Sequence, residues 1–251
     1  MKTFSESASL VIIPTYHEAQ NINDLILKIW EYCPDIHVLV VDDNSQDGTP
    51  EIVKSLQEQH TATLHLIQRA GKLGLGTAYL TGFRWALEHD YQAVVEMDAD
   101  FSHNPSKLPY MLAKLGRYHA VVGSRYVEGG GTENWHPLRR FISRFGSFYA
   151  RSILGVPIHD LTGGFNAWRR EVLENINIDK IRSEGYSFQI ELKYRCHRAG
   201  LSMCEIPILF SERREGQSKM SGGIVVEALL RVWALRFSVP KSSYRLSSGT
   251  R

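Results

Sequence analysis

The sequence predicts an α/β fold: a mostly parallel central sheet flanked by helices. Three observations carry this. Through the first half of the chain, short apolar runs alternate with segments of helical periodicity, the pattern of parallel strands joined by helical crossovers. The runs are nearly continuous in apolar residues, as in strands buried on both faces. Each run ends in a polar or glycine-rich segment. Ligands of such sheets bind beyond the carboxyl ends of the strands, so residues 14–18, 42–43, 70–76 and 98–102 should converge on one cleft.

In order, residues 9–16 read as a strand that stops at Pro14. Residues 17–21 are polar, and Leu25, Ile26, Ile29 and Trp30 then recur at helical spacing. Residues 36–41 are a second strand, and residues 42–48 a turn punctuated by Asp47-Gly48. Thr49 can cap a helix with Pro50 in its first position, Ile52, Val53 and Leu56 facing inward. Residues 64–67 are a third strand and 71–76 a glycine-rich loop. A helix follows over 77–89, with Ala78, Phe83, Ala86 and Leu87 buried, and then a strand from Ala93 to Val95. In the second half, helices are expected over 106–115, 137–154, 188–199 and 224–237, and strands over 120–125 and 202–210. Residues 128–133, 160–165 and 213–219 read as loops.

The length, 251 residues, allows one large domain or two small ones. The expected division is a single domain over 1–240, with a first half at 9–125, a second at 126–240 and a disordered tail at 241–251. The net charge of +2 argues neither for nor against nucleic acid, so any basic site must be local, and no nucleic-acid partner is expected. Cys33, Cys196 and Cys204 form no Cys-x-x-Cys pair, which argues against a disulfide scaffold or zinc site and fits a reducing compartment. Residues 1–9 lack a signal-peptide layout. The most apolar stretch, 224–239, is interrupted by Glu227, Arg231 and Arg236, so the chain is not expected to cross a membrane by itself.

The chemistry centres on Met97-Asp98-Ala99-Asp100-Phe101-Ser102-His103. Two carboxylates one residue apart repel unless a cation neutralises them. Oxygen ligands at a strand end suit Mg²⁺ or Mn²⁺, which keep waters and take phosphate oxygens as further ligands. A solvated acidic turn is the plainer alternative. Gly74-Leu75-Gly76 starts like a dinucleotide fingerprint, but Tyr79 stands at the third glycine position and the loop follows the third strand, so it is weak evidence. Asp43 could accept from a nucleobase, whereas Asp42 could equally form an Asx-turn. Arg125, Arg139, Arg213 and Lys219 sit near expected loop or cleft edges, where cations can hold phosphate. In 137–154, Arg139, Arg140, Arg144 and Arg151 mix with Phe141, Ile142, Phe145, Phe148 and Ile153. That helix could be an ordinary surface or packed one, or an interfacial helix with apolar side chains in lipid and arginines at lipid phosphates.

Taken together the motifs resemble family 2 glycosyltransferases with the GT-A fold. Pro14-Thr15-Tyr16-His17-Glu18 within 12–22, and Val41-Asp42-Asp43-Asn44-Ser45 within 40–49, resemble the family's start. Residues 72–79, 97–103, 123–126, 142–144, 160–165 and 216–219 narrow the likeness to the dolichyl-phosphate (polyprenyl-phosphate) mannosyltransferase group, in its form without transmembrane helices. The likeness runs over about 10–234. It implies transfer of mannose from GDP-mannose to a polyprenyl phosphate with inversion, at the cytoplasmic face of a membrane, in some organisms beside a small membrane partner subunit. By the same resemblance, Pro14, Tyr16, Glu18, Val41 and Asp43 would line the nucleoside pocket. Asp98, Ala99 and Asp100 would meet the diphosphate and the Mg²⁺ or Mn²⁺ ion. Arg125, Arg213 and Lys219 would hold phosphates, and Arg139 and Ser143 would lie on the acceptor side. Ser102 stands where some relatives carry a metal-ligating Gln. UDP-glucose or another nucleotide sugar is the alternative donor, and a non-catalytic subunit of the same fold is the alternative class.

Overall fold

The computed structural model describes residues 4–211 and 222–240, with only the backbone described for 186 and 222–228. The strands are β1 (Ser9–Thr15), β2 (His37–Asp42), β3 (Leu64–Gln68), β4 (Ala93–Glu96), β5 (Ala120–Ser124), β6 (Gly131–Thr132), β7 (Asn166–Arg169), β8 (Met203–Pro207) and β9 (Leu209–Phe210). The helices are α1 (Ile22–Tyr32), α2 (Thr49–Gln59), α3 (Leu75–Glu88), α4 (Leu108–Leu115), α5 (Pro137–Leu154), α6 (Arg170–Asn175), α7 (Gly185–Arg198) and α8 (Gly222–Ser238).

Seven strands form one sheet in the order β3-β2-β1-β4-β7-β5-β8, and β6 pairs with β9 apart from it. Among the described residues, only β7 runs antiparallel to its neighbours in the large sheet. The apolar faces explain the layers. Ile22, Leu25, Ile26 and Ile29 of α1 share a core with Leu108, Met111, Leu112 and Leu115 of α4 and with Val11, Ile13, Val38, Val40 and Val95 of the strands. Alternate strand residues Leu10, Ile12, Leu39, Val41 and Val94 point to the other side and pack against α3 and α7. A third cluster joins Ala150 and Leu154 of α5, Ile190 and Tyr194 of α7, and Val232 and Leu235 of α8.

The chain winds from β1 outward to β3 and then resumes at β4, on the other flank of β1, so the order of the sheet reverses there. Pairing of β1 with β2 continues to Thr15↔Asp42, but pairing with β4 ends at Ile12↔Glu96. The last β1–β4 link is the bond from Met97 N to Ile12 O, 3.1 Å. Beyond it the strands part and a crevice opens, as expected at a topological switch point. Pro14 is tolerated because its missing N–H falls after this divergence.

Four sequence expectations are corrected. Residues 166–169 form a strand, slotted antiparallel between β4 and β5, where none was expected. Four residues with polar ends carry too little periodicity to signal it; its two neighbours define it. The six-residue helix α6 was also not foreseen. Residues 202–210 split at Ile208, which donates to Ser124 O and accepts from Gly131 N, so β8 stays with β5 and β9 turns to β6. Thr49 opens α2 instead of capping it: Gly48, at φ 94°, is the N-cap. The Thr49 hydroxyl donates to Asp47 and accepts from Glu18 N. The expected tail at 241–251 lies outside the described residues.

Candidate active site

On the β1–β2 flank, Asp42 and Asp43 do different work. Asp42 accepts from the Thr15 hydroxyl (2.8 Å), the Ser45 hydroxyl (2.6 Å) and Ser45 N (2.8 Å), an Asx-type turn that closes the strand end. Asp43 pairs with the Arg69 guanidinium through Oδ1 and accepts from Leu73 N and Gly74 N, both 3.1 Å, through Oδ2. Arg69 also donates to Thr77 and to Gly74 O. The glycine loop is thus wound around one ion pair, and Gly74, at φ 95°, takes a conformation other residues avoid. Asp43, expected to accept from a nucleobase, already has both oxygens engaged by the protein. Tyr16 is exposed at the rim with the Lys72 ammonium 3.9 Å from its ring centroid. Pro14 and Glu18 are half-buried there, and Glu18 accepts from Asn21. The Val41 side chain is sealed in the α3-side core, which leaves only its main chain to meet a ligand.

Beyond β4 stands the acidic pair. Asp98 Oδ1 accepts from the Tyr79 hydroxyl at 3.1 Å, and Asp98 N donates to His103 Nδ1 at 3.0 Å. His103 is buried and stacked on Phe165, with ring centroids 5.0 Å apart. Burial pushes its pKa down although Asp98 and Asp100 pull it up. Asp100 is buried and accepts from Ser102 N at 3.0 Å across Phe101, which sits at φ 61°. Ala99 is buried between the two acids. The Ser102 hydroxyl is buried with no hydrogen-bond partner among the described residues. An orphaned oxygen beside two carboxylates suits a hard cation. Among the described residues no cluster of three or more His, Cys, Asp or Glu could enclose a metal. The donor set therefore fits an open site that takes its remaining ligands from water or phosphate.

Arg125, at the end of β5, does not reach into the cleft as a lone cation. It is buried, and Asp160 grips it twice at 2.7 Å, through Nε and Nη2, with Thr162 at 2.9 Å from Nη2. Burial pushes the Asp160 carboxyl up, but the Arg125 guanidinium and its hydrogen bonds outweigh this and leave it below the usual carboxylate range. Below lies buried Lys193, whose ammonium donates to Gly163 O (2.6 Å) and Leu161 O (3.3 Å) and so fixes the 160–164 loop. Burial pushes Lys193 down and its neighbour Glu96 up, while each draws the other toward its charged form.

Arg139 of α5 lies over Trp135, 4.1 Å from the ring centroid, and the Ser143 hydroxyl accepts from Tyr126 at 2.7 Å. A cavity of about 250 Å³ joins these parts. Asp98, Arg125, Arg139 and Ser143 line its polar end; Ile142, Phe145, Tyr149, Leu229 and Val232 line its apolar end, between α5 and α8. Past that end both helices turn apolar side chains to solvent: Leu138, Phe141, Phe145 and Phe148 on α5, and Leu230, Trp233 and Phe237 on α8. Arg213 and Lys219, expected to hold phosphates, lie outside the described residues. Tyr79, His103, Asp160 and Lys193 were not among the expected site residues. For Asp160 a signal existed, since an acid before Thr162-Gly163-Gly164 sits in a turn opposite a strand-end arginine. Tyr79 and Lys193 read in sequence as ordinary helix positions.

The crevice at the sheet's switch point and the helices on both faces are those of the GT-A fold, the class of nucleotide-sugar glycosyltransferases. The profile described as glycosyl transferase family 2 matches residues 10–176, and the chain belongs to that family. It is 45% identical over 231 residues to a polyprenol monophosphomannose synthase of Mycolicibacterium smegmatis, covering 91% of this chain and 87% of that one. It is 44% identical over 228 residues to an undecaprenyl-phosphate mannosyltransferase of Micrococcus luteus, covering 90% and 93%. Among solved structures, glucosyl-3-phosphoglycerate synthase of Mycobacterium tuberculosis with Mn²⁺, UDP and phosphoglyceric acid superposes with a TM-score of 0.67 at 17% identity, over 96% of this chain and 86% of that one. Mannosyltransferase PcManGT of Pyrobaculum calidifontis with GDP-Man and Mn²⁺ gives 0.59 at 20% identity, over 93% and 66%. At such identities these two likenesses concern the fold alone. The expected α/β, GT-A type fold is the one found, and the chain is a glycosyltransferase.

Proposed function

We propose that this enzyme transfers mannose from GDP-mannose to a polyprenyl phosphate, with inversion, aided by Mg²⁺ or Mn²⁺. One observation carries the reading. A single cavity runs from Asp98 and Arg139 to an apolar end between two helices whose outer faces expose aromatic residues. That polarity matches a substrate with a phosphate at one end and hydrocarbon at the other. The names of the two relatives above, a polyprenol monophosphomannose synthase and an undecaprenyl-phosphate mannosyltransferase, support the same choice of sugar and acceptor.

An acceptor phosphate needs no general base, because its second pKa is about 6 and it is largely dianionic at pH 7. One of its oxygens forms the bond to the anomeric carbon while the bond to the diphosphate breaks, and the electron pair leaves with GDP. The difficulty is electrostatic: two unit negative charges about 4 Å apart repel by about 4 kcal/mol at an effective dielectric of 20. Arg125 is balanced by Asp160, so it acts as a fixed hydrogen-bond donor more than as net positive charge. Arg139 supplies a guanidinium on the acceptor side, over the Trp135 ring, with Arg213 and Lys219 assigned to the phosphates by resemblance. Asp98, Asp100 and the Ser102 hydroxyl would hold the cation. When bound, it supplies neutralisation of the diphosphate and of the charge that grows on it as it leaves.

Among the described residues no helix is long and apolar enough to cross a membrane. We place α5 and α8 in the surface of a membrane, on its cytoplasmic side, with the cavity mouth opening to lipid. The test is sugar transfer to a short polyprenyl phosphate with GDP-mannose and UDP-glucose in parallel, each with Mn²⁺ and with chelator. Metal-dependent transfer from GDP-mannose is expected. Transfer from UDP-glucose alone, or none from either donor, would overturn the proposal.

A further inference from the structure

Asp98 differs from Asp43 and Asp160 in how it is held. Asp43 is paired with Arg69 and Asp160 with Arg125, so each of those charges is cancelled within the protein. Among the described residues, the two side chains that hold or face Asp98, Tyr79 and His103, are neutral. Tyr79 sits in α3 with its ring wholly buried, stacked against Phe188 at 6.1 Å between centroids and near Phe83 at 6.3 Å. A phenylalanine would fill that place as well; the hydroxyl must be desolvated and is accommodated only by its bond to Asp98 Oδ1. His103 is equally buried. Its Nδ1 accepts the Asp98 N–H, which leaves the ring proton on Nε2, and Nε2 faces Asp98 Oδ2 across 4.0 Å. The third wall is Gly164, where a Cβ would stand 3.7 Å from the His103 ring and 3.9 Å from Asp98 Oδ1. Among the described residues, the remaining side of Asp98 lines the cavity.

We infer that Tyr79 and His103 are positioning residues: they set the Asp98 carboxylate toward a divalent cation and the donor diphosphate without neutralising it. A carboxylate turned by neutral donors keeps its full charge for the metal, whereas one paired with arginine does not. Partners that orient a metal ligand commonly govern affinity by about 10- to 100-fold. The inference rests on the metal-assisted reading above, and the two can fail separately.

The experiment measures Mn²⁺ affinity by electron paramagnetic resonance on the full chain with saturating GDP, beside thermal midpoints and the Mn²⁺ dependence of turnover. Tyr79→Phe removes one oxygen and keeps the ring stack. His103→Asn keeps an acceptor for the Asp98 N–H and loses the group at Nε2. Each should raise the Mn²⁺ Kd about tenfold, leave GDP binding in chelator unchanged, and recover turnover as Mn²⁺ is raised. Kd values within about twofold of wild type in both variants would overturn the inference. So would an affinity loss that merely follows a lowered thermal midpoint. Failure of the wild-type enzyme itself to bind Mn²⁺ with GDP would remove the metal-assisted reading and this inference with it.

Discussion

Helix α5 places Leu138, Phe141, Phe145 and Phe148 on one stripe, and all four are exposed. Ser147, Ala150 and Leu154 face the core, and Arg140 and Arg144 lie exposed beside the aromatic stripe. Phe141 is 67% exposed and Phe148 63%. Full burial of such a side chain is worth roughly 1.5–3 kcal/mol, so inserting the exposed two-thirds yields about 1–2 kcal/mol each. Replacing both with serine should therefore cost about 2–4 kcal/mol of membrane partitioning, roughly a 30- to 700-fold loss. Because neither ring is in the core, the thermal midpoint should stay near wild type. The assay is co-sedimentation with vesicles that contain anionic lipid, beside turnover on a water-soluble short-chain acceptor. Vesicle binding should collapse while turnover in solution persists. A double variant that sediments like wild type would refute the interfacial placement of α5, and equal losses in both assays would show that the two rings serve the fold instead.

Asp100→Ala removes a buried carboxylate assigned to the cation and the acceptor for Ser102 N; turnover should vanish while the folded protein persists by circular dichroism, and metal-dependent turnover like wild type would count against the site. Arg139→Ala should raise the KM for polyprenyl phosphate by about tenfold or more, the worth of a hydrogen bond to a charged group, with the KM for donor little changed. Asp160→Ala strands a buried guanidinium and should cost about 3–5 kcal/mol, visible as a thermal midpoint lower by about 6–20 °C. The Asp160 pKa is lowered in the fold, so its stabilisation is complete above the unfolded carboxylate value and is lost as pH falls through the folded value. The wild-type midpoint should therefore fall in acid more steeply than that of Asp160→Ala; parallel acid profiles would deny the ion pair this role.

Much of the fold was legible because its signals are local. The continuous apolar runs that became β1, β2 and β4 announce strands buried on both faces, and the periodic runs at Leu25–Ile29 and in α5 announce helices. The polar ends of those strands point to one cleft from the sequence alone. β7 was not legible, because Asn166 to Arg169 becomes a strand only by lying between two others. The same holds for the crevice acids. Their spacing and their place after a strand made Asp98 and Asp100 candidates for a site. That Asp43 would be absorbed by Arg69, and Arg125 by Asp160, depended on partners 26 and 35 residues away.

The amino-acid order by itself determined the alternation of strand and helix, the placing of acids at strand ends and the two-faced character of α5, since each is a property of neighbours within a few turns of chain. Tertiary structure alone decided that Asp43 and Arg125 are paired within the protein, that buried Tyr79 and His103 turn to Asp98, and that Asp98 and the aromatic helices share one cavity. The reason is physical: electrostatic and packing energies depend on distance in space and on exclusion of water, and folding sets both between residues that the sequence keeps far apart.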